Sequence, residues 1–210
     1  MGESIKRIIS PYQDSYSPNG IIGEKDACGV GFVANVEGNE SNWILKQSLK
    51  GLNCMEHRGG CGGDSDSGDG AGILCSIPWG YLDEELNLIN KQKLDRGLGM
   101  VFMPNKKEKI EECKSICEEE AEKLSVKETS WRKVPVNNEI LGPLAKANVP
   151  YICQWILYID TKDNQNIERL LFQLRKRIEK KIRETFKNDV GDCEFYFASL
   201  SSQTVVYKGM

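Results

Sequence analysis

The sequence predicts a mixed α/β (α+β) fold in which strands alternate with helices. Residues 151–159 (YICQWILYI) form a run of β-branched and aromatic residues that is typical of a buried strand. Directly after it, apolar residues recur every three or four positions through residues 167–186, as on one face of a long basic helix. A chain of 210 residues, 40% of them hydrophobic, is long enough to bury a core around such elements.

The N-terminal quarter predicts a leader, a strand and a helix. Residues 1–27 contain scattered Pro, Asn and Gly without a sustained apolar period, which predicts a loop-like leader. Residues 28–36 (CGVGFVANV) predict a buried strand that stops at the turn-like EGNES. Ser41 has the position of a helix N-cap. The apolar face of that helix is Leu45, Leu49, Leu52 and Met55, and Gly59 with Gly60 ends it.

The middle of the chain predicts a loop, two strands and a second helix. Residues 61–72 (CGGDSDSGDGAG) are too rich in Gly and Asp for a regular element, and they lead into the strand-like ILCSI. Residues 97–103 (GLGMVFM) predict another short strand, which ends at a proline. Helical spacing through residues 110–124 predicts an amphipathic helix with Cys113 and Cys117 pointing inward.

The C-terminal end predicts two strands, FYFASL at residues 195–200 and TVVYKG at residues 204–209. No helix follows to cover them, which leaves an unpaired edge or an open apolar face. The sequence therefore predicts a fold that is truncated on its C-terminal side.

Charge and hydropathy exclude two classes of partner. The chain has 28 Lys and Arg against 31 Asp and Glu, a formal net charge of -3, so we expect no sequence-independent binding to nucleic acid. No apolar run approaches the roughly 18 residues of a membrane span, and the N-terminus has no apolar signal region. We therefore expect no membrane partner, a cytoplasmic location and reduced cysteines.

Metal sites are weakly indicated. Cys54, His57 and Cys61 have a spacing that permits zinc, with Cys28 or Cys75 as a possible fourth ligand. The chain lacks a second close ligand pair, and a single His57 more readily holds a loop by hydrogen bonds. We expect no bound metal.

The acidic loop does not match a known cation or phosphate motif. Asp64, Asp66 and Asp69 resemble the start of an EF-hand, but the sixth position is Asp69 instead of Gly and the twelfth is Cys75 instead of Glu. A phosphate-binding GxxxxGK[ST] is also absent, and three carboxylates would repel a phosphate.

Cys28 is the candidate nucleophile. If the peptide bond after Ala27 is cleaved, the new α-amine lies a few bonds from the thiol. An α-amine titrates near pH ~7.7–8.0, so it can accept the thiol proton and later deliver it to a leaving amine. The alternative is that Cys28 is a small buried core residue without a catalytic role.

Three motifs resemble one known family. CGVGF at Cys28, HRGG at His57 and SGDGAGIL at Ser67 are similar, in order and spacing, to the start of the glutaminase domain of glutamate synthases. These domains are class II glutamine amidotransferases with the αββα sandwich of N-terminal-nucleophile hydrolases. The resemblance continues through GMVFMP, VPVNNEILGPLAKANVPYICQ and FYFASLSSQTVVYKGM, and so covers residues 28–210.

The resemblance implies a set of site residues. Residues 1–27 would be a propeptide, and Cys28 the first residue of the mature domain, where its thiolate forms a thioester with glutamine and releases ammonia. The residues expected to shape the loops around the nucleophile are Gly29, His57, Arg58, Gly59, Gly68, Asp69 and Gly70.

The resemblance also implies partners and cofactors outside this chain. In the parent enzyme the ammonia meets 2-oxoglutarate at FMN, with a 3Fe-4S cluster and either ferredoxin, which we expect, or an NADPH-linked small subunit as electron source. The chain itself is expected to hold no cofactor, and none of its eight cysteines is a cluster ligand.

The sequence departs from the family pattern in one respect. The family binds and activates glutamine through segments resembling HSRFST and HNGEIN, and neither occurs here. Because an oxyanion-hole donor contributes about 10²–10³ in rate, we expect the 210-residue chain alone to hydrolyse glutamine poorly. The alternative is a catalytically silent remnant that acts only as a folding or interaction module.

Overall fold

A computed structural model describes residues 29–55, 67–68, 70–86, 94–124, 126–160, 166–187 and 194–209. The chain divides into two units, Met1–Val30 and Gly31–Met210. Of the first unit only Gly29 and Val30 are described, and both lie outside helices and strands. All the elements below belong to the second unit.

Within the described residues the second unit contains five helices and six strands. The helices are α1 (Asn42–Cys54), α2 (Trp79–Leu86), α3 (Lys107–Glu122), α4 (Pro143–Ala147) and α5 (Ile167–Thr185). The strands are β1 (Ala71–Ser76), β2 (Asp95–Met103), β3 (Val126–Lys133), β4 (Tyr151–Ile159), β5 (Tyr196–Ser201) and β6 (Thr204–Gly209).

Four strands form an antiparallel sheet in the order β3-β4-β2-β5. Because β4 is antiparallel to both β2 and β3, these two strands run parallel to each other, and α3 connects them. By the same reasoning β4 and β5 are parallel, and α5 connects them. The result is a split βαβ arrangement, in which each βαβ unit encloses a strand of the other.

One face of this sheet packs against α3 and α5. The apolar stripes of the two helices meet alternate residues of the strands in one core, and Cys113, Cys153, Trp155, Leu174 and Phe197 are among its buried side chains. The stripe of α5 is apolar at helical spacing, which is why this strongly charged helix can pack on a sheet.

The opposite face packs against a two-stranded antiparallel sheet of β1 and β6. Leu98, Met100 and Ile156 of the large sheet share a second core with Val205 of β6 and Leu82 of α2. An isolated pair of strands is marginally stable in water, so β1 and β6 depend on this contact. The second unit is thus layered as a helix pair, a four-stranded sheet and a two-stranded sheet.

Most of the predicted elements are confirmed. The strand at residues 151–159 has the predicted bounds, and the long basic helix is α5. Ser41 caps α1, since its Oγ accepts a hydrogen bond from the Ile44 amide at 3.3 Å. Cys113 and Cys117 are fully buried on the inner face of α3, as their spacing predicts.

The predicted buried strand at residues 28–36 is wrong over its described part. Residues 29–36 form no strand, and the side chains of Phe32 and Val36 are exposed. A strand needs a neighbouring strand that satisfies its amides and carbonyls. The described strand β1 pairs with β6 and not with residues 29–36. Apolar composition alone therefore did not produce a strand here.

The expectation that no helix covers the last strands is also wrong for β5. Phe197 of β5 lies in the core beneath α5, and Arg175 Nη2 donates to the Phe197 carbonyl at 2.9 Å. Glu168 of the same helix accepts from the amide of Ser202 at 2.6 Å, in the turn between β5 and β6. The helix that covers β5 precedes it in sequence.

No described helix combines the length and the apolar character that crossing a lipid bilayer requires.

Leu174→Ala tests the core beneath α5. Leu174 is fully buried, so the substitution should lower the free energy of unfolding by about 2–5 kcal/mol, measured by urea denaturation. Leu144→Ala on α4, where the side chain is 52% exposed, is the control and should change it by no more than about 0.5 kcal/mol. Equal losses in the two variants would contradict this layering.

Candidate functional site

The structure describes three of the predicted site residues. Gly29 lies in irregular chain, Gly68 forms an isolated β-bridge and Gly70 leads directly into β1. Cys28 and Asp69 lie outside the described residues, as do the three predicted site residues His57, Arg58 and Gly59. The described part of the candidate site is therefore Ser67, Gly68 and the glycines that lead into β1, with the residues around them.

The glycines at the start of β1 allow a close approach to β6. A Cβ on Gly72 would lie 2.9 Å from both the Lys208 Cβ and the Tyr207 carbonyl oxygen, and a Cβ on Gly70 would lie 3.1 Å from the Gly209 oxygen. These distances are too short for a side chain. Gly70 and Gly72 thus bring the loop backbone against β6.

Ser67 anchors the other end of the described loop. Its Oγ accepts a hydrogen bond at 3.2 Å from the amide of Ala145, the third residue of α4. The N-cap of this helix is Gly142, which has no side chain to cap it, so Ser67 satisfies a terminal amide in its place. The loop and the segment around α4 are held together across 78 positions of sequence.

A cavity of about 790 Å³ lies between the loop and the α4 segment. Gly70 and Gly72 form part of its wall, and the residues that precede and follow α4 form another part. Its polar lining includes Asn137, Asn138 and Asn148. Both motif-bearing segments, SGDGAG and VPVNN, therefore face one space.

Aromatic rings and a lysine form another part of the cavity wall. Phe102 and Tyr196 are stacked with ring centroids 4.8 Å apart. Lys208 Nζ lies 4.4 Å from the centroid of the Tyr196 ring, an arrangement that favours the cation. Lys208 also faces Gly72 in the β1–β6 register, so the same residue contacts the loop strand and the cavity.

A polar network between the sheets holds β6 in place. Arg132 of β3 donates to Glu85 Oε1 at 2.6 Å and to the fully buried Gln154 Oε1 at 3.0 Å. Gln154 Nε2 then donates to the Tyr207 hydroxyl at 3.1 Å. Because buried polar groups without partners are costly, this network fixes Tyr207, and with it the strand that meets Gly72.

The described buried thiols are poor nucleophiles. Burial raises the pKa of Cys153 to about 12, against a smaller opposing effect of Lys114. Burial, followed by the proximity of Cys153 and Glu118, also raises the pKa of Cys117 well above its ordinary value. A thiol that stays protonated at neutral pH neither attacks an amide nor binds a metal readily.

The zinc and calcium alternatives receive no support from the described residues. No group of three or more His, Cys, Asp or Glu side chains among them could hold a metal ion. Cys54 is exposed at the end of α1, whereas His57, Cys61 and the acidic residues 64, 66 and 69 lie outside the described part.

Sequence reasoning missed Ser67 and the Arg132–Gln154–Tyr207 network. The signal for Ser67 was the pair Gly142 and Pro143, which marks the start of a helix without a side-chain cap of its own. The network had no local signal, because its members lie on three strands that are separated in sequence.

Comparison with known proteins places these features in a family context. Residues 28–210 match the family model of class II glutamine amidotransferases. The chain is 43% identical over 194 residues to ferredoxin-dependent glutamate synthase 1 of Arabidopsis thaliana, an alignment that covers 90% of this chain and 12% of the relative. It is 42% identical over 204 residues to the ferredoxin-dependent glutamate synthase of Oryza sativa subsp. japonica, covering 95% of this chain and 12% of the relative.

A cyanobacterial protein gives the same result. The chain is 41% identical over 196 residues to ferredoxin-dependent glutamate synthase 2 of a Synechocystis strain, covering 90% of this chain and 12% of the relative. The chain thus spans about an eighth of the length of the curated relatives it matches.

Gly72→Ala tests the close approach between β1 and β6. The added methyl group meets backbone and Cβ atoms that cannot rotate away, so the free energy of unfolding should fall by about 1–3 kcal/mol in urea denaturation. The control is Gly80→Ala in α2, where the added Cβ would meet no neighbouring atom within 4 Å. This variant should change the free energy of unfolding by less than about 1 kcal/mol. A tolerated Gly72→Ala would show that the loop does not need this approach.

Thiol labelling tests the environment of the cysteines. At pH 8 a thiol of pKa about 12 is roughly 10³-fold less ionised than one at its ordinary value near 9. Iodoacetamide followed by peptide mass spectrometry should therefore modify the exposed Cys54 and leave Cys117 and Cys153 unmodified until urea is added. Labelling of Cys153 in the native protein at a rate like that of Cys54 would contradict the structure.

Proposed function

Because this chain belongs to the class II glutamine amidotransferases, we propose that it supplies the glutaminase activity of a glutamate synthase, with Cys28 as its nucleophile. One observation carries the proposal, namely that the family match begins at Cys28 itself. That start is where a nucleophile with a free α-amine would stand once residues 1–27 are removed. The glutamate synthase assignment is supported by relatives about 40% identical over 90% of the chain.

The chemistry follows from a thiol and an amine on one residue. The α-amine accepts the Cys28 proton, and the sulfur attacks the side-chain amide carbon of glutamine. An S–C bond forms, the C–N bond breaks, and the protonated amine returns the proton to the leaving nitrogen, which departs as ammonia. Water then attacks the thioester, so that glutamate is released and the thiol is restored.

Four of the five described thiols are unsuitable as nucleophiles, which supports the choice of Cys28. Cys113, Cys117 and Cys153 are buried inside the core beneath α3 and α5, where no substrate reaches them. Burial also raises the pKa of the half-buried Cys75, with a smaller contribution from the Glu40 carboxylate, and keeps that thiol protonated. A reactive cysteine needs a base or a positive field beside it, which a free α-amine provides.

The glycine-rich loop would serve as support for the nucleophile. Gly70 and Gly72 hold the loop backbone against β6, and Ser67 ties it to α4, so the loop is positioned by contacts at both of its described ends. We assign Gly29, Gly68, Asp69 and Gly70 to shaping the site without chemical steps of their own. His57, Arg58 and Gly59, which follow α1 in sequence, are proposed to do the same.

The whole reaction would require more than this chain. Ammonia would combine with 2-oxoglutarate and be reduced to glutamate in the parent enzyme, with electrons from ferredoxin, since the relatives are ferredoxin-dependent glutamate synthases. FMN and a 3Fe-4S cluster would supply that reduction. Among the described residues no group of three or more Cys, His, Asp or Glu side chains could hold a metal ion, so we propose that other parts of the parent enzyme hold both groups.

The 210-residue chain by itself is proposed to be a weak glutaminase. Its sequence lacks segments resembling HSRFST and HNGEIN, which in the family clamp the substrate and form the oxyanion hole. Such donors stabilise the charge that develops on the amide oxygen.

Cys28→Ser and Cys28→Ala in the parent enzyme test the proposal. Both should lower glutamine-dependent glutamate formation by at least about 10³-fold, because the thioester no longer forms at a useful rate. Activity with added ammonia should persist in both, which separates loss of the nucleophile from loss of the fold. Cys54→Ser is the matched control and should retain both activities, since Cys54 is an exposed residue at the end of α1.

Intact-mass analysis of the mature enzyme supplies the second readout. The first residue should be Cys28, since only a free α-amine on that residue can act as the base. A mature N-terminus elsewhere, or a Cys28→Ala enzyme with unchanged glutamine-dependent activity, would overturn the proposal and favour a silent interaction module.

A further inference from the structure

The two helices that cover the large sheet carry opposite charges. Within Lys107–Glu122, α3 has seven Glu against three Lys. Within Ile167–Thr185, α5 has seven Arg and Lys against three Glu. The chain as a whole has a formal net charge of only -3, so this separation is a feature of the layer and not of the composition.

The two helices lie side by side and antiparallel. Lys109, near the start of α3, lies 5.5 Å from the ring of Phe186, just after the end of α5. Farther along, Glu120 of α3 accepts from Arg177 Nε at 2.7 Å. The layer therefore presents one acidic and one basic strip that run next to each other along the outer surface.

Most of these charges face outward. On α3 the exposed positions include Glu108, Glu112, Glu119 and Glu122, opposite the buried apolar stripe. On α5 the exposed positions include Arg169, Lys176, Lys180 and Arg183 at the same helical spacing. Arg177 with Glu120 is the ion pair between α3 and α5 among the described salt bridges, so most of the outward charge is not neutralised across the layer.

This segregation is unfavourable for each helix alone. Glu108 and Glu112, and likewise Lys176 and Lys180, are like charges four residues apart, a spacing that destabilises a helix. On α5 opposite charges relieve this, since Glu179 lies 3.3 Å from Lys176 Nζ and Glu184 lies 3.9 Å from Lys180 Nζ. On α3 the described salt bridges include none for Glu108 or Glu112, so the repulsion there is not relieved by an ion pair. A surface that only has to be soluble usually intersperses both signs of charge, whereas each of these helices carries a clear excess of one sign.

We propose that this helix layer is an interface with a second copy of the chain, in which the acidic strip of α3 lies on the basic strip of α5 of the other copy. A two-fold axis in the interface that runs along the groove between the helices exchanges their positions. Each α3 is then opposite an α5, and both contacts form at once. A two-fold axis perpendicular to the helices would place α3 of one copy on α3 of the other, where like charges repel.

The size of the layer sets the strength of this contact. At 1.5 Å per residue and about 10 Å per helix width, α3 and α5 together offer roughly 500 Å² per copy. The two copies together would bury about 1,000 Å², which is at the low end for specific association. The dimer should therefore be weak and held mainly by charge. Phe172 on α5 is 59% exposed and adds apolar area at one end.

Sedimentation velocity on the full chain at low and high salt measures the association. At about 20 mM salt and protein concentrations up to about 500 μM, a reversible monomer–dimer equilibrium is expected, and 500 mM salt should raise its dissociation constant at least ~10-fold. A chain that stays monomeric at low salt over this range would overturn the proposal.

Two charge-reversal variants test the pairing itself. Lys176→Glu with Lys180→Glu leaves α5 with five basic and five acidic residues and so removes its net positive charge, and Glu112→Lys with Glu119→Lys leaves α3 with five acidic and five basic residues and so removes its net negative charge. Each variant alone should therefore lose association at least ~10-fold. An equimolar mixture should associate again as a heterodimer, because the unchanged α3 of one variant meets the unchanged α5 of the other, and the introduced Glu residues lie on the helix opposite the introduced Lys residues. Circular dichroism confirms that both variants are folded.

The matched control reverses two charges outside the layer. Lys46→Glu with Lys50→Glu on α1 changes the net charge by the same amount at exposed positions four residues apart, and should leave the dissociation constant within about twofold. If the control weakens association as much as the α5 variant, or if the mixture fails to associate, the specific pairing of strips is wrong.

Discussion

The structure depends on burying both faces of the two central strands, β2 and β4. Leu98, Met100 and Ile156 point to one core, whereas Val101 and Trp155 point to the other. A sheet that is apolar on both faces must be covered on both, and the coverings here differ in kind. The helix pair covers one face and the β1–β6 ribbon the other, so the positions of α3, α5, β1 and β6 follow from this pair of strands.

The ribbon that covers the second face also carries the candidate site. A two-stranded sheet has little stability of its own, and its position comes from Val205 in the core and from the buried hydrogen bond of Tyr207 to Gln154. Gly72 can approach β6 only because β6 is held in this way. The loop of the family motif is therefore placed by contacts far from the loop itself, which is how a rigid scaffold supports a functional segment.

The two helices on the other face pack with their inner sides and carry their charges on their outer sides. Its inner stripes are apolar and join the core, whereas its outer strips carry opposite charges. Since burial depends only on the inner stripe, the outer positions are free to differ in sign between α3 and α5. The same layer can thus stabilise the fold and present a directional charge pattern.

The sequence by itself determined the elements that have a strong local period and the motifs that identify the family. β4 and α5 were predicted with nearly their observed bounds, because their apolar patterns are unambiguous. The tertiary structure alone decided that β3 (VKETSWRK) is a strand, since this polar edge segment gains its hydrogen bonds from β4. It also decided that the apolar residues 29–36 form no strand, and that Ser67 caps α4. The pairing of β3 with β4 and the hydrogen bond of Ser67 to Ala145 join residues distant in sequence, and no local pattern records such partners.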